Sequence, residues 1–136
     1  MTFGEKVKEL RLRNRYSQRE VAEKIGISTR AYQSYEQSGV TPKKRDVLVK
    51  LSELYHVSID NLLDDQELFY LEVSERYGER GSKQAQKIID NAQAYLAGGD
   101  LSDEEREDFM DSLMRMFLRS KEIAKARYGK KDKPEQ

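Results

Sequence analysis

Residues 17–38 contain two short helical patterns separated by a two-residue break, and this stretch constrains the fold more than any other. Ser17 and Glu20 occupy the N-cap and N3 positions of a capping box, so a helix is predicted to begin at residue 18. Gly26 follows the last apolar residue of that helix and can take the left-handed conformation that ends it. Ser28 then supplies a second N-cap. The stretch predicts two short helices joined by a tight turn.

The second of these helices has one apolar and one polar face. Tyr32 and Tyr35 share the inward spacing of Ala31, which favours core packing over stacking on nucleic-acid bases. The side chains that point elsewhere are Thr29, Arg30, Gln33, Ser34 and Gln37. Hydrogen-bonding groups of this kind suit the base edges in a DNA major groove. Helix, turn and polar helix together form a helix-turn-helix outline.

The distribution of charge agrees with this interpretation, although the 25 Lys and Arg residues balance the 25 Asp and Glu residues overall. Residues 1–45 carry 11 basic and 5 acidic side chains, a net charge of +6. Residues 66–136 carry 13 basic and 15 acidic side chains, a net charge of −2. The basic region therefore coincides with the helix-turn-helix, as expected of a nucleic-acid-binding domain.

Composition excludes several other classes of function. The chain has no cysteine and one histidine, His56, which leaves no material for disulfides, the usual zinc sites or histidine-based catalysis. The carboxylates are expected on solvated helix faces, so neither an enzyme, a metal site nor a cofactor is predicted. No apolar run approaches the roughly 20 residues of a membrane span. We therefore expect an intracellular, cytoplasmic protein without a membrane partner.

Three more short helices are predicted in residues 1–65. Thr2 is a plausible N-cap for a helix that ends near Asn14, and a fourth helix should open at residues 43–45 and run to about Tyr55. Ser58 can cap a short fifth helix.

The ordered set of motifs over residues 3–63 resembles the Xre/Cro-type helix-turn-helix shared with lambdoid phage repressors. The matching residues are Ser17-Gln18, Val21-Ala22, Gly26-Ile27-Ser28, Tyr32, Tyr35-Glu36, Pro42, Val57-Ser58-Ile59-Asp60 and Leu62-Leu63. The resemblance implies a five-helix domain that binds double-stranded DNA in a sequence-specific way.

The resemblance also implies roles for individual residues. Gln18 looks like the residue that binds a DNA phosphate, and Arg30 is the best candidate for a bidentate contact to guanine. The implied DNA-binding set is Gln18, Ser28, Thr29, Arg30, Gln33, Ser34, Gln37, Lys43, Lys44 and Arg45. Within it, Gln37 and residues 43–45 match positions that hold the DNA backbone, and Gln33 could instead fold back along its own backbone. Arg11 and Glu36 match a structural ion pair between the first and third helices.

Residues 66–128 are predicted to form a second helical region. Phe69, Leu71 and Val73 alternate as a strand would, but the glutamate-rich surroundings favour helix. Gly78 and Gly81 should bracket a turn. Ser82 is then expected to cap a helix of about 15 residues that ends near Leu96. Ser102 and Glu105 form a capping box for a helix to about Tyr128, and residues 129–136 are expected to be disordered.

The last helix has a broad apolar stripe that includes Phe109, Leu113, Met116 and Phe117. Three interpretations compete: an internal hairpin with residues 82–97, a dimer interface, and a pocket for a small-molecule or peptide effector. The first two together are favoured over the third, because a two-fold operator is read by two copies of such a domain.

The sequence thus predicts an all-α protein with a DNA-binding domain at residues 1–65 and a helical hairpin or dimerisation region at residues 66–128. The expected function is a transcriptional regulator, a dimeric repressor that reads a two-fold operator. The alternative is an antitoxin or similar protein whose C-terminal helices bind another protein, with DNA binding serving autoregulation. Stoichiometric copurification of a small partner would favour the alternative.

Overall fold

The computed structural model describes residues 1–128, and within this range the chain forms seven helices and no strand. The helices are α1 (Phe3–Arg13), α2 (Gln18–Ile25), α3 (Thr29–Gln37), α4 (Arg45–Tyr55), α5 (Ile59–Leu62), α6 (Asp65–Leu96) and α7 (Asp103–Tyr128). The chain divides into two compact units, one from Met1 to Glu75 and one that begins at Arg76. The all-α prediction is confirmed, whereas the predicted disordered tail at residues 129–136 lies outside the described range.

The predicted caps delimit α2 and α3. The Ser17 hydroxyl accepts a hydrogen bond from the Glu20 amide (3.0 Å), and the Glu20 carboxylate accepts one from the Ser17 amide (2.9 Å). Gly26 ends α2 with φ 74°, and Ser28 caps α3 by accepting from the Ala31 amide at 3.1 Å. Because each end is capped locally, two short helices can meet across a two-residue turn.

One hydrophobic core holds the first unit together. Its buried members are Phe3, Val7, Val21, Ala22, Ile25, Tyr32, Leu48, Leu51, Tyr55, Leu62, Leu63 and Leu71. Tyr32 is fully buried, so the prediction that it packs in the core is confirmed. Tyr35 is partly buried, and its ring meets those of Phe3 and Tyr32 edge-on, with centroid distances of 5.9 and 6.3 Å. These tyrosines pack the inward face of α3 against the core, and the opposite face is left to solvent.

Gly4 allows α1 to lie directly against α3. A Cβ atom at this position would stand 2.4 Å from the backbone oxygen of Tyr35, well inside van der Waals contact. Any larger side chain would push the two helices apart.

The segment after residue 63 is helical, so the strand alternative is wrong. A second capping box starts α6: the Asp64 carboxylate accepts from the Glu67 amide (2.7 Å) and the Glu67 carboxylate from the Asp64 amide (2.9 Å). Leu71, on this helix, is buried in the core of the first unit. The first compact unit therefore extends beyond the predicted boundary at residue 65, to Glu75.

In the second unit, α6 is interrupted only at Gly78, which has φ 67° and ψ −162°. The break at this glycine was predicted, but the predicted helix start at Ser82 is wrong. Gly78 alone supplies the non-helical conformation, so the helix resumes directly after it and Ser82 lies in its interior. The Ser102–Glu105 capping box of α7 is confirmed, with hydrogen bonds of 3.1 and 3.0 Å.

Residues 79–96 and α7 form an antiparallel hairpin with its own apolar seam. Ala85 and Ile89 on one helix and Met114 and Phe117 on the other are buried. At the end of the hairpin away from its connecting loop, the Tyr77 hydroxyl donates to the Glu122 carboxylate at 2.5 Å. Lys121 donates to the side-chain oxygen of Gln84 nearby.

Candidate nucleic-acid interface

The outward face of α3 offers a small set of polar side chains to solvent. Arg30 and Gln37 are exposed, and Thr29 is half-buried. Residues 1–128 provide no ion-pair partner for Arg30, so its guanidinium keeps all five donors for an external ligand. The Ser34 hydroxyl donates to the Ala31 carbonyl at 2.6 Å, which leaves it only acceptor capacity. Ser28 is exposed, with its hydroxyl occupied by the α3 cap.

Arg11 and Glu36 form a bidentate ion pair between α1 and α3. Arg11 Nε donates to Glu36 Oε2 at 2.8 Å and Arg11 Nη2 to Glu36 Oε1 at 3.1 Å. A third donor, Nη1, reaches the carbonyl of Tyr16 at 3.1 Å. The side chain of Glu36 is only 2% exposed and that of Arg11 only 11%. The pair therefore faces the protein and fixes α3, and it presents nothing to a base.

The ionisation of Glu36 follows from these contacts. Burial opposes the charged form, but hydrogen bonds from Arg11 and Gln18 outweigh it, so the pKa of Glu36 is lowered from its ordinary value. In turn, the hydrogen bond to Glu36 raises the pKa of Arg11. Both groups are held in their charged forms.

Gln18, the first residue of α2, is tied to α3 at both ends of its amide. Its Nε2 donates to Glu36 Oε1 at 3.2 Å, and its Oε1 accepts from Gln33 Nε2 at 3.1 Å. Gln33 was predicted to bind DNA or else to fold back along its own backbone, and its side chain instead donates to a side chain of α2. No sequence signal indicated this bond, because it joins residues 15 positions apart on different helices.

The basic residues before α4 divide into two kinds. Lys43 and Lys44 are exposed in the turn that precedes the helix. Arg45 begins α4 and binds Glu75 through Nε–Oε2 (3.0 Å) and Nη2–Oε1 (2.9 Å). This hydrogen bond lowers the pKa of Glu75 and raises that of Arg45. Sequence analysis missed Glu75, which lies 30 residues further along the chain.

The four residues predicted to form a dimer surface do not share one environment. Phe109 and Met116 are exposed by 45% and 65%, whereas Leu113 is half-buried. Phe117 is 6% exposed and packs inside the hairpin, so it is withdrawn from the predicted surface. Ile123, seven residues beyond Met116, is 48% exposed and extends the row that Phe109 and Met116 begin.

The described part of the chain contains no group of three or more His, Cys, Asp or Glu side chains placed to hold a metal ion. Of the seven helices, none combines the length and apolar character that crossing a membrane requires.

This arrangement of capped α2, glycine turn and anchored α3 defines a helix-turn-helix domain, a class whose second helix enters the major groove. Residues 7–62 match the family described as Helix-turn-helix. The match lies within residues 3–63, the range over which the sequence motifs resemble the Xre/Cro-type helix-turn-helix.

Similar curated proteins are transcriptional regulators. The chain is 41% identical over 68 residues to the HTH-type transcriptional regulator ImmR of Bacillus subtilis (strain 168), an alignment that covers 50% of this chain and 53% of ImmR. It is 37% identical over 65 residues to the cryptic phage CTXphi transcriptional repressor RstR of Vibrio cholerae, covering 48% and 58% of the two chains. These alignments thus span little more than half the length of either relative.

A third similarity extends into the second unit. The SPbeta prophage-derived uncharacterized HTH-type transcriptional regulator YonR of Bacillus subtilis (strain 168) is 28% identical over 115 residues, which cover 83% of this chain and 94% of YonR. No solved structure matches the chain.

Proposed function

We propose that this protein is a sequence-specific, double-stranded DNA-binding transcriptional regulator, and that it acts as a dimeric repressor. The observation that carries the proposal is the outward face of α3, where Arg30 and Gln37 are exposed while Tyr32 and the Arg11–Glu36 pair fix the helix from behind. The net charge of +6 in residues 1–45 and the names of the similar proteins support it. Such a regulator works beside its operator, in the cytoplasm.

In the proposed mechanism, α3 enters the major groove. Arg30 has a free planar fork that matches the O6 and N7 acceptors of guanine, a contact worth about 1–3 kcal/mol of discrimination. Gln18 and the amide groups at the start of α2 bind a phosphate. Lys43 and Lys44 add sequence-independent contacts to the backbone.

The dimer part of the proposal rests on α7. Phe109, Met116 and Ile123 are exposed at seven-residue steps, which places them along one stripe of the helix. Burying this row against a second copy would give two α3 helices, one for each half-site about 34 Å apart on a two-fold operator.

The test begins with footprinting on the DNA that flanks the protein's own coding region, followed by binding measurements on the protected duplex and its single-base variants. Arg30→Ala is expected to relax preference at one base pair by about 1–3 kcal/mol per half-site and to leave binding to random DNA nearly unchanged. Arg30→Lys is the matched control, since it keeps the charge but loses the fork. A loss that is equal on all sequences would contradict the role of Arg30.

The same row on α7 supports a second candidate function, an antitoxin-like protein that uses its C-terminal helices to bind a different protein. Light scattering on the natively expressed protein distinguishes the two. A homodimer supports the repressor, and a stable one-to-one complex with a coexpressed small protein supports the alternative.

A further inference from the structure

Gln33 lies on the recognition helix α3, but its side-chain amide forms a hydrogen bond within the protein. Its side chain is half-buried, and its Nε2 donates to Gln18 Oε1 at 3.1 Å. A base-reading glutamine uses both its donor and its acceptor on adenine, with the amide directed into the groove. The amide of Gln33 is directed instead at α2.

The orientation of the Gln18 amide is determined by its other neighbour. Glu36 is ionised, 2% exposed and held by two hydrogen bonds from Arg11, so its carboxylate can only accept. If the Gln18 amide were reversed, its oxygen would face that carboxylate and the hydrogen bond to Glu36 would be lost. The nitrogen of Gln18 therefore faces Glu36 and the oxygen faces Gln33, as the distances of 3.2 and 3.1 Å indicate.

Because Glu36 and Gln33 engage the two ends of the Gln18 amide, only one N–H group of Gln18 remains available. Its NH2 has two hydrogens, and one is given to Glu36, so the second remains for an acceptor outside the protein. With its Oε1 engaged by Gln33, the amide cannot rotate to offer its oxygen to solvent. The relay Arg11–Glu36–Gln18–Gln33 thus presents a single N–H donor at the start of α2, where helix amide groups also favour an anion.

We infer that Gln33 is a positioning residue for a DNA phosphate contact made by Gln18, and that it does not read a base. The inference rests on the proposed DNA-binding function and makes it more specific: the bases are left to Thr29, Arg30 and Ser34. Because a phosphate occurs at every step of the backbone, Gln33 then contributes to affinity on all sequences and to preference on none.

A double-mutant cycle tests the inference on the full chain. The variants are Gln18→Ala, Gln33→Ala and the double substitution, with binding measured on the footprinted operator and on a random duplex of equal length. Gln33→Ala is expected to weaken binding about threefold to tenfold on both duplexes, the usual effect of one hydrogen bond. In the Gln18→Ala background the same change should add nothing, because Gln33 acts only through Gln18.

A backbone probe separates this role from a general structural one. Neutral methylphosphonate is substituted for one operator phosphate at a time, and the position that weakens the wild-type protein through Gln18 is identified. For both Gln33→Ala and Gln18→Ala, the methylphosphonate at that position should no longer weaken binding, while its effect at every other position should stay as in the wild type. Gln33→Met, which keeps the length of the side chain but has no donor, should behave like Gln33→Ala while its thermal unfolding stays close to that of the wild type.

Three results would overturn the inference: a changed preference at one base pair in Gln33→Ala, a loss in the double variant equal to the product of the single losses, or unchanged binding by Gln18→Ala. In each case operator binding that still depends on Arg30 would leave the proposed function standing. Absence of operator binding by the wild-type protein would instead remove the proposed function itself.

Discussion

The two units treat their large apolar side chains differently. In the first unit the exposed ones are Met1, Leu12, Val40 and Val49: Leu12 lies on α1 and Val49 on α4, whereas Met1 and Val40 lie outside the helices. Scattered exposure of this kind is normal on a protein surface. In the second unit Phe109, Met116 and Ile123 are exposed along one stripe of a single helix, and Tyr95 on α6 is 85% exposed. Exposed apolar side chains that share one face of a helix are typical of a surface that associates.

The difference indicates what each unit needs. The core of the first unit is complete within one chain, and packing against that core directs the polar face of α3 to solvent. The second unit closes only the seam between its two helices, so part of its apolar surface has no cover within the unit. The first therefore presents polar side chains to a ligand, whereas the second leaves an exposed apolar row that we propose a second copy covers. Five substitutions test this contrast.

The largest effect is expected where the first unit depends on one buried ion pair. Arg11→Ala leaves the Glu36 carboxylate, 2% exposed, without its bidentate partner. Loss of one member of a buried pair is strongly destabilising, and we expect about 3 kcal/mol in the free energy of unfolding. Urea denaturation measures it. Arg13→Ala is the control, because its pair with Glu9 is exposed and should contribute less than about 1 kcal/mol.

The pH dependence gives a second readout of the same change. The pKa of Glu36 is lowered in the folded protein, so the pair stabilises fully above the unfolded-state pKa of about 4.3 and loses its contribution as the pH falls through the lowered folded value. Without Arg11, burial prevails and the folded pKa should rise. The contribution of Glu36 to stability should then fall as the pH increases from the unfolded-state pKa of about 4.3 through the raised folded value. Equal pH profiles for Arg11→Ala and Arg13→Ala would contradict this account.

The next effect tests the second unit. Met116→Glu places a charge in the middle of the exposed row, at a side chain that is 65% exposed in the single chain. Folding of the hairpin should be unaffected, while dimer dissociation should become at least about 2 kcal/mol easier, as for a central interface residue. Sedimentation velocity measures it. Leu12→Glu, at an exposed leucine of the first unit, is the matched control; equal effects would mean that the row is not an interface.

The contrast also explains which features were predictable from the sequence. Local signals determine helix ends, so the caps at Ser17, Ser28 and Ser102 and the turn at Gly26 were predicted at the correct residues. The Asp64–Glu67 box carried the same signal in acidic form and was overlooked. At Ser82, a good cap residue gave a wrong helix start, because Gly78 alone already supplied the break.

Contacts between residues far apart in the sequence could not be predicted in this way. Gln33 and Arg45 were both assigned to DNA from their positions, but their partners, Gln18 and Glu75, depend on how separate helices pack. Likewise, a stripe with a period of three and four residues does not say which edge faces inward. Phe117 and Met116 are neighbours in that stripe, yet one is buried in the hairpin and the other is exposed. The position of each residue on its helix was predictable from the sequence, but the partner of its side chain depends on the tertiary structure.

A smaller effect tests whether Arg45 belongs to the reading surface. Glu75→Gln removes the carboxylate that engages its guanidinium. We expect binding to all DNA sequences to strengthen about threefold to tenfold, with a salt dependence steeper by about 0.9 in log units, as for one added phosphate contact. Titrations at several salt concentrations measure both. Glu79→Gln, which removes an equal charge four residues later and beyond the break at Gly78, is the control. Unchanged binding would make the Arg45–Glu75 pair a purely structural link between α4 and α6.

The smallest effect concerns backbone strain, which the two units also treat differently. In the first unit Arg15 and His56 take positive φ values of 59° and 55°, whereas the break in the second unit falls on a glycine, Gly78. A non-glycine residue in this region costs about 1 kcal/mol, which the packed core around it must offset. His56→Gly, at the exposed end of α4, should therefore raise the free energy of unfolding by about 1 kcal/mol.

Gly78→Ala should lower the stability of the second unit, even though nothing lies within 4 Å of the added Cβ atom, because its φ of 67° and ψ of −162° suit glycine alone. Denaturation of both variants, followed by signals from each unit, measures the pair. If His56→Gly is neutral, the larger conformational freedom of glycine in the unfolded chain cancels the relief of strain, and the first unit is less strained than its φ values indicate.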